Sequence, residues 1–279
     1  MTTLSLGNNK LLRDLDCSLS YLLGTGTGGQ TLNLEKCLNL RTLKVGYTKL
    51  TALNLPTNGN LTTINIDAST IKANYVDGME LLTDISIDEC NEIETYHVNN
   101  CPRLTEINVQ GSTIKSFSAT NCEQLTTINV SQCKQMTDFD VTNSDNITTL
   151  NMKGNTGSLM NDLKMYTLYN LQSLDVSNSM TVKQIRFPKY KSKEEADKAN
   201  NGQEAILWDN LKSLTLSNSA IKYIQYGSEE LAEGLKSCNM SQLSNLTSIT
   251  FSGCTSVEKI TNFNYSNANL SNLFYNCTK

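Results

Sequence analysis

One short phrase, repeated down most of the chain, decides what this sequence can fold into. LTTINVSQC, from Leu125 to Cys133, lines up with LTTINIDAS at Leu61, LTDISIDEC at Leu82, LTEINVQGS at Leu104 and ITTLNMKGN at Ile147. It recurs as LQSLDVSNS at Leu171, LKSLTLSNS at Leu211 and LTSITFSGC at Leu246. The shared pattern is L-x-x-L-x-L-x-x-(C/S/N/T). Looser copies begin at Leu50, Ile71, Ile93, Ile114, Met136, Met160, Val182, Ile221 and Val257, so units of 10 or 11 residues are nested in a period of 21 to 22. A fixed period of this size means stacked supersecondary units rather than a single closed core.

Apolar residues at positions 1, 4 and 6 do not extend a helical stripe over two turns. Positions 4 and 6 alternate with polar neighbours, as a short strand does. Each unit therefore reads as one strand and a turn, and because one unit cannot cover its own apolar side, successive coils must stack and bury positions 1, 4, 6 and 9 along a common axis. The expected fold is a β-rich solenoid with two parallel sheets facing each other across a thin core.

The repeat resembles the nested bacterial and viral subclass of leucine-rich repeats, in which both halves of a roughly 21-residue repeat carry LxxLxLxx(N/C). The match runs from about Leu32 to Val257, with weaker copies at Leu4, Leu12 and Leu270. The resemblance implies one leucine-rich-repeat solenoid over residues 1–279, right-handed or horseshoe-like and α/β by family. It further implies partner binding or structural display in place of chemistry: a recognition module of adhesin or receptor-binding type, or a component of a virion or other large particle. Because repeats reach close to both ends, the chain is expected to be a segment of something larger, or to be capped by neighbouring subunits.

The two series of units differ on their outward positions. The first carries Thr, Asn and Ser and reads as a uniform solvated sheet. The second is irregular, with Ala73 and Tyr75, Thr95 and His97, Asp138 and Asp140, Asp162 and Lys164, Gln184 and Arg186, and Tyr223 and Gln225 at positions 3 and 5. Variety on a regular scaffold is where recognition is found, although weakly constrained solvated residues look the same. Two insertions break the count. In 191–208, Ser192 and Glu195 make a capping box for a short helix ended by Asn200, Asn201 and Gly202, and in 227–243, Ser228 can cap a second. Both should leave the same edge in consecutive coils, beside Phe187, Tyr190, Trp208, Tyr223 and Tyr226. Those rings either cover the solenoid flank under the helices or line a groove. The candidate partner-binding residues are Arg186, Tyr190, Tyr223, Tyr226, Tyr75 and His97, and the expected partner is a protein or glycan surface.

Other chemistry is poorly served. His97 is the only histidine, which excludes paired-imidazole zinc sites such as HExxH. Asp138 and Asp140 share one exposed face without a cleft to raise either pKa. Gly24, Gly26 and Gly29 satisfy G-x-G-x-x-G, but a strand unit, TLNLEKC, follows where a helix would be needed, so the stretch reads as a flexible loop. No catalytic, cofactor-binding or metal-binding residue is assigned, and no enzyme activity is expected. A net charge of −4 from 23 basic and 27 acidic residues, with the basic ones scattered, offers nothing to nucleic acid. No apolar stretch approaches the roughly 20 residues of a membrane span. The start lacks the pattern of a signal peptide. Of nine cysteines, Cys37, Cys90, Cys101, Cys122, Cys133 and Cys254 occupy position 9 and exchange there with Ser, Asn and Thr. That interchange predicts free thiols serving as small donors, and folding in a reducing cytosol before any transfer to a virion or bacterial surface.

Overall fold

In a computed structural model, the protein is described over residues 2–157 except 28, 58 and 59, over 162–226 except 166, 180, 209, 220 and 222, and over the strand pieces 238–239, 248–250 and 260–261. The chain divides into two compact units, Met1–Ser144 and Asp145–Lys279. Each is a stack of coils in which two short strands alternate.

The first unit carries β1 (Asp14–Asp16), β2 (Gln30–Asn33), β3 (Thr42–Lys44), β4 (Leu50–Asn54), β5 (Thr63–Asn65) and β6 (Ala73–Asp77). It continues with β7 (Asp84–Ser86), β8 (Thr95–Asn99), β9 (Glu106–Asn108), β10 (Ser116–Ser118), β11 (Thr127–Asn129) and β12 (Asp138–Asp140). The odd strands β1 to β11 pair in sequence order as one sheet, β6, β8, β10 and β12 form a second, and β2 with β4 a third, every pairing being parallel. Partners lie one coil apart, as Ile64 with Ile85 and Ile107 with Ile128. Leu61, Ile64, Ile66, Leu104, Ile107, Val109, Leu125, Ile128 and Val130 are all fully buried. Each such side chain contributes about 1.5–3 kcal/mol.

The second unit holds β13 (Thr149–Asn151), β14 (Asp162–Lys164), β15 (Ser173–Asp175), β16 (Gln184–Phe187), the helix α1 (Lys193–Asn200), β17 (Ser213–Thr215), β18 (Tyr223–Tyr226), β19 (Cys238–Asn239), β20 (Ser248–Thr250) and β21 (Ile260–Thr261). β13, β15, β17 and β20 pair in that order, and β14, β16, β18, β19 and β21 in theirs, again in parallel. The architecture is thus a β-solenoid of parallel sheets with very little helix, consistent with a leucine-rich repeat. The helical part of the second insertion expected in 227–243 lies outside the described residues.

The corner after each strand explains why the phrase is so narrow. Position 8 is left-handed in every first-series unit from Leu12 to Leu211, at Leu19, Tyr47, Ala68, Glu89, Gly111, Gln132, Gly154, Asn178 and Asn218. In the second series the same holds at Gly78, Asn100, Asn121 and Asn143. The turn throws the position 8 N–H onto the position 7 carbonyl of the next coil, as Tyr47 to Asp67 (2.8 Å) and Ala68 to Asp88 (2.8 Å). Position 5 helps to set that corner. Asn129 accepts the N–H of Ser131, Asn151 that of Lys153 and Asp175 that of Ser177, each an Asx turn. The outward Asn of the first series is therefore a turn residue more than a solvated one.

Position 9 closes the coil. Cys90 donates to the Ile66 carbonyl (3.1 Å), Ser112 to Ile87 (3.2 Å), Cys122 to Val98 (3.3 Å), Cys133 to Val109 (3.1 Å) and Ser144 to Ala119 (2.7 Å). Each acceptor is the position 6 carbonyl of the preceding coil. Hydroxyl and thiol exchange here because both are short donors that reach a free lone pair of a buried carbonyl; at Ile66, Ile87 and Val109 the same oxygen also accepts a backbone N–H from its own coil. The six described cysteines, Cys17, Cys37, Cys90, Cys101, Cys122 and Cys133, are all free. Burial pushes the Cys90 thiol up to about 11 and those of Cys101 and Cys133 up to about 12, which keeps them protonated as donors.

Two glycines of the glycine-rich stretch are packed against the neighbouring coil, while Gly26 between them has open space around it. Gly24 has φ 95°, donates to the Thr2 carbonyl (2.9 Å), and sits so close to the next coil that a Cβ there would lie 2.2 Å from the Lys49 carbonyl oxygen. Gly29 would likewise meet Thr51 at 2.4 Å. These glycines serve close backbone packing, and no helix follows them to receive a phosphate.

Candidate binding surfaces

In the first unit, the outward face of β6, β8, β10 and β12 brings Tyr75 beside His97, which are register partners. Tyr75 is 62% exposed. The rings meet edge to face with centroids 5.3 Å apart, and the His97 Nε2 lies 3.3 Å from the Ser116 hydroxyl on the next strand. This pair is the only aromatic contact on that face among the described residues, and it offers a ring surface with one polar edge. Farther along, Asp138 and Asp140 are exposed; Asp140 is bound to the N–H and hydroxyl of Thr142, and Asp138 to the Thr137 hydroxyl. They act as local turn and edge groups, not as an acid and base poised over a cleft.

In the second unit, the insertion after β16 builds a small platform. Ser192 caps α1 by accepting the Glu195 N–H (3.2 Å), and Glu195 is held by Lys198 (2.6 Å) and by the Ile206 N–H (2.7 Å). The Lys198 hydrogen bond, followed by that from Ile206, sets the Glu195 carboxyl below its ordinary pKa. The returning chain pairs with the outgoing one: Lys191 N–H to Ile206 O (2.9 Å), Trp208 N–H to Lys189 O (3.1 Å), and an antiparallel bridge between Tyr190 and Leu207. Trp208 is fully buried, stacks on Phe187 at 5.0 Å, and donates its indole N–H to the Tyr169 carbonyl (2.8 Å). Phe187 and Trp208 thus cover the flank beneath the insertion and line no groove.

Of the residues expected in this region, Arg186 is half-buried in β16, between Lys164 and Gln225 in register. Tyr190 is half-buried with the Lys189 ammonium 5.5 Å above its ring. Tyr226 is half-buried with its ring 6.4 Å from that of Phe187, as expected of position 6. Tyr223 lies in β18, and its side chain is outside the described residues. The expectation missed Ile206 and Leu207, which stand 57% and 52% exposed beside Tyr190. Their signal was the apolar run Ala205-Ile206-Leu207-Trp208 after a polar helix, in which only Trp208 is taken into the core.

Among the described residues, no group of His, Cys, Asp and Glu could hold a metal ion, and no helix is long and apolar enough to cross a membrane. Neither a protein-family model nor any curated protein matches the sequence. Among solved structures, an internalin (inlF) from Listeria monocytogenes is similar over 78% of this chain and 76% of its own, with 14% identity and a TM-score of 0.28.

Proposed function

We propose that this chain is a non-enzymatic recognition module, a leucine-rich-repeat solenoid of the nested type, and that it engages a protein or glycan surface in adhesin or receptor-binding fashion through the platform after β16. The observation that carries the reading is the exposed pair Ile206 and Leu207, held by the Tyr190–Leu207 bridge and the Glu195 contact to Ile206. Two large apolar side chains kept in water by a rigid support gain nothing for folding, whereas a partner that covers them recovers their burial. Tyr190 and Arg186 supply the aromatic and guanidinium groups that most often anchor such contacts.

The test is a screen of the purified chain against arrayed glycans and displayed extracellular proteins, repeated with Ile206→Ser/Leu207→Ser and with Arg186→Ala/Tyr190→Ala. Each pair should weaken a hit by about tenfold or more, while Thr127→Ala and Thr149→Ala on the first-series sheets should not. Equal loss from the threonine variants would place the site elsewhere and overturn the assignment.

A further inference from the structure

A different surface, in the first unit, sets exposed apolar side chains beside a group of carboxylates. At the left-handed position 8, glycine and asparagine are the residues that suffer least strain, and they fill it at Gly78, Asn100, Gly111, Asn121 and Asn143. Yet two adjacent coils put Leu19 (φ 60°) and Tyr47 (φ 59°) there. Neither side chain is taken into the core: Leu19 is 58% and Tyr47 45% exposed, and Tyr21 and Leu22 next to Leu19 are 60% exposed each. Ala68, Glu89 and Gln132 take the same left-handed turn, so what sets Leu19 and Tyr47 apart is the apolar surface that they leave in water.

Next to this apolar strip the chemistry changes sign. Position 8 runs from coil to coil as Leu19, Tyr47, Ala68 and Glu89, and position 7 beside it as Gly46, Asp67 and Asp88. Between Tyr47 and Glu89 opens a hollow of about 300 Å³, lined by these two and by Asp67, Asp88, Asn108 and Gln110. Asp67 is consumed by the fold, accepting from the Asp88 N–H (2.8 Å) and from the Asn65 amide (2.8 Å). The Asp88 Oδ1 is buried without a hydrogen-bond partner. Among the described residues no ion pair reaches Asp67, Asp88 or Glu89. Burial first, then the charges of Asp67 and Glu89, raise the Asp88 carboxyl above its ordinary pKa, and no cation offsets them.

We infer that this corner is a docking site for a protein segment that carries a lysine or arginine next to an aliphatic or aromatic side chain. The cation enters the hollow against Asp88 and Glu89, and the apolar neighbour lies over Tyr47 and Leu19. Charge complementarity selects the occupant. An acidic hollow whose carboxylates no ion pair neutralises among the described residues is complemented by an ammonium or guanidinium group, and the apolar strip requires that the same ligand bring a hydrophobic group. The site is separate from the platform after β16, and either can fail alone.

The experiment titrates a short acetylated peptide of alternating leucine and lysine into the full chain, with amide chemical shifts as the readout. A lysine–serine and a leucine–glutamate peptide serve as controls. The expected result is a set of shifts centred on Tyr47, Asp67, Asp88 and Glu89 for leucine–lysine, binding about tenfold weaker or worse for lysine–serine, and none for leucine–glutamate. Tyr47→Asn with Glu89→Gln should weaken leucine–lysine by about tenfold while leaving the melting temperature unchanged or higher, because asparagine suits the left-handed backbone. Should the pair of substitutions impair folding, Glu89→Gln alone must still weaken the peptide. The proposal is overturned by equal binding of lysine–serine, by the same shifts with calcium alone, by dimerisation that Tyr47→Asn abolishes, or by no binding up to about 1 mM. A falling melting temperature for Tyr47→Asn would equally overturn it, by giving Tyr47 a structural role.

Discussion

At Asn121, alanine should be worse than glycine, the reverse of the usual order inside a β-solenoid coil. The residue sits at φ 55°, its N–H donates to the Thr142 carbonyl (3.0 Å), and its amide joins a ladder: Asn121 Nδ2 to Asn100 Oδ1 (3.0 Å) and Asn143 Nδ2 to Asn121 Oδ1 (2.9 Å). Both substitutions lose the two exposed ladder bonds, together about 1 kcal/mol. They differ in the backbone. Alanine in the left-handed region costs about 1–2 kcal/mol, against which glycine's greater freedom in the unfolded chain costs about 0.5–1 kcal/mol. The net difference favours Asn121→Gly by about 0.5–1 kcal/mol. It can be read as a shift in the urea midpoint by circular dichroism at unchanged m value. Thr127 in β11, on extended backbone, is the internal control, since there Thr127→Ala should be the more stable of the pair. If Asn121→Ala equals or exceeds Asn121→Gly, the corner does not impose the left-handed turn and the explanation of position 8 fails.

Three further outcomes follow from the core and the insertion. Thiols whose folded pKa lies above the unfolded value stabilise fully below the unfolded value; with Cys90 near 11 and Cys101 and Cys133 near 12 against an ordinary 9.0, stability should fall as pH rises from about 9 towards 12, and a flat urea midpoint across that range would contradict the buried-donor role. Trp208, the only tryptophan, should emit at the blue wavelengths of a dry site, and Trp208→Ala should lower stability by about 3–5 kcal/mol; water-exposed emission from the native chain would refute the stack on Phe187. Ser192→Ala should cost about 1 kcal/mol, and excision of 193–204 with closure of the turn should leave the strand signal of the coils in circular dichroism intact; loss of that signal would make the insertion part of the core.

The solenoid was legible because its determinants are periodic. Positions 1, 4 and 6 are repeated so often that errors at single units, such as Asn74 at an apolar position 4, do not disturb the register. Position 9 was legible for a chemical reason: only a shared demand for a short donor explains why Cys, Ser, Thr and Asn exchange, and the carbonyls found at Ile66, Ile87 and Val109 are that demand. Position 8 was not legible. Leu19, Tyr47, Glu89 and Gln132 hide a left-handed requirement that Asn100, Asn121 and Asn143 announce, because backbone conformation is fixed by the hydrogen bond to the next coil whatever side chain stands there.

Surfaces were read less well than the core, for a reason that Phe187, Trp208, Ile206 and Leu207 make plain. All four are large and apolar within one insertion-bearing coil, and nothing in their local spacing says which are buried. The division is made by long-range contacts: Trp208 reaches the Tyr169 carbonyl, 39 residues earlier, and leaves its neighbours Ile206 and Leu207 on the outer side of the bridge to Tyr190. The same holds at the acidic corner, where Asp67 is spent on the Asp88 backbone and Asp88 is left without a donor although the two occupy the same position of the repeat. A repeat sequence fixes where side chains are carried; which of them remain available for a partner depends on the coil above and the coil below.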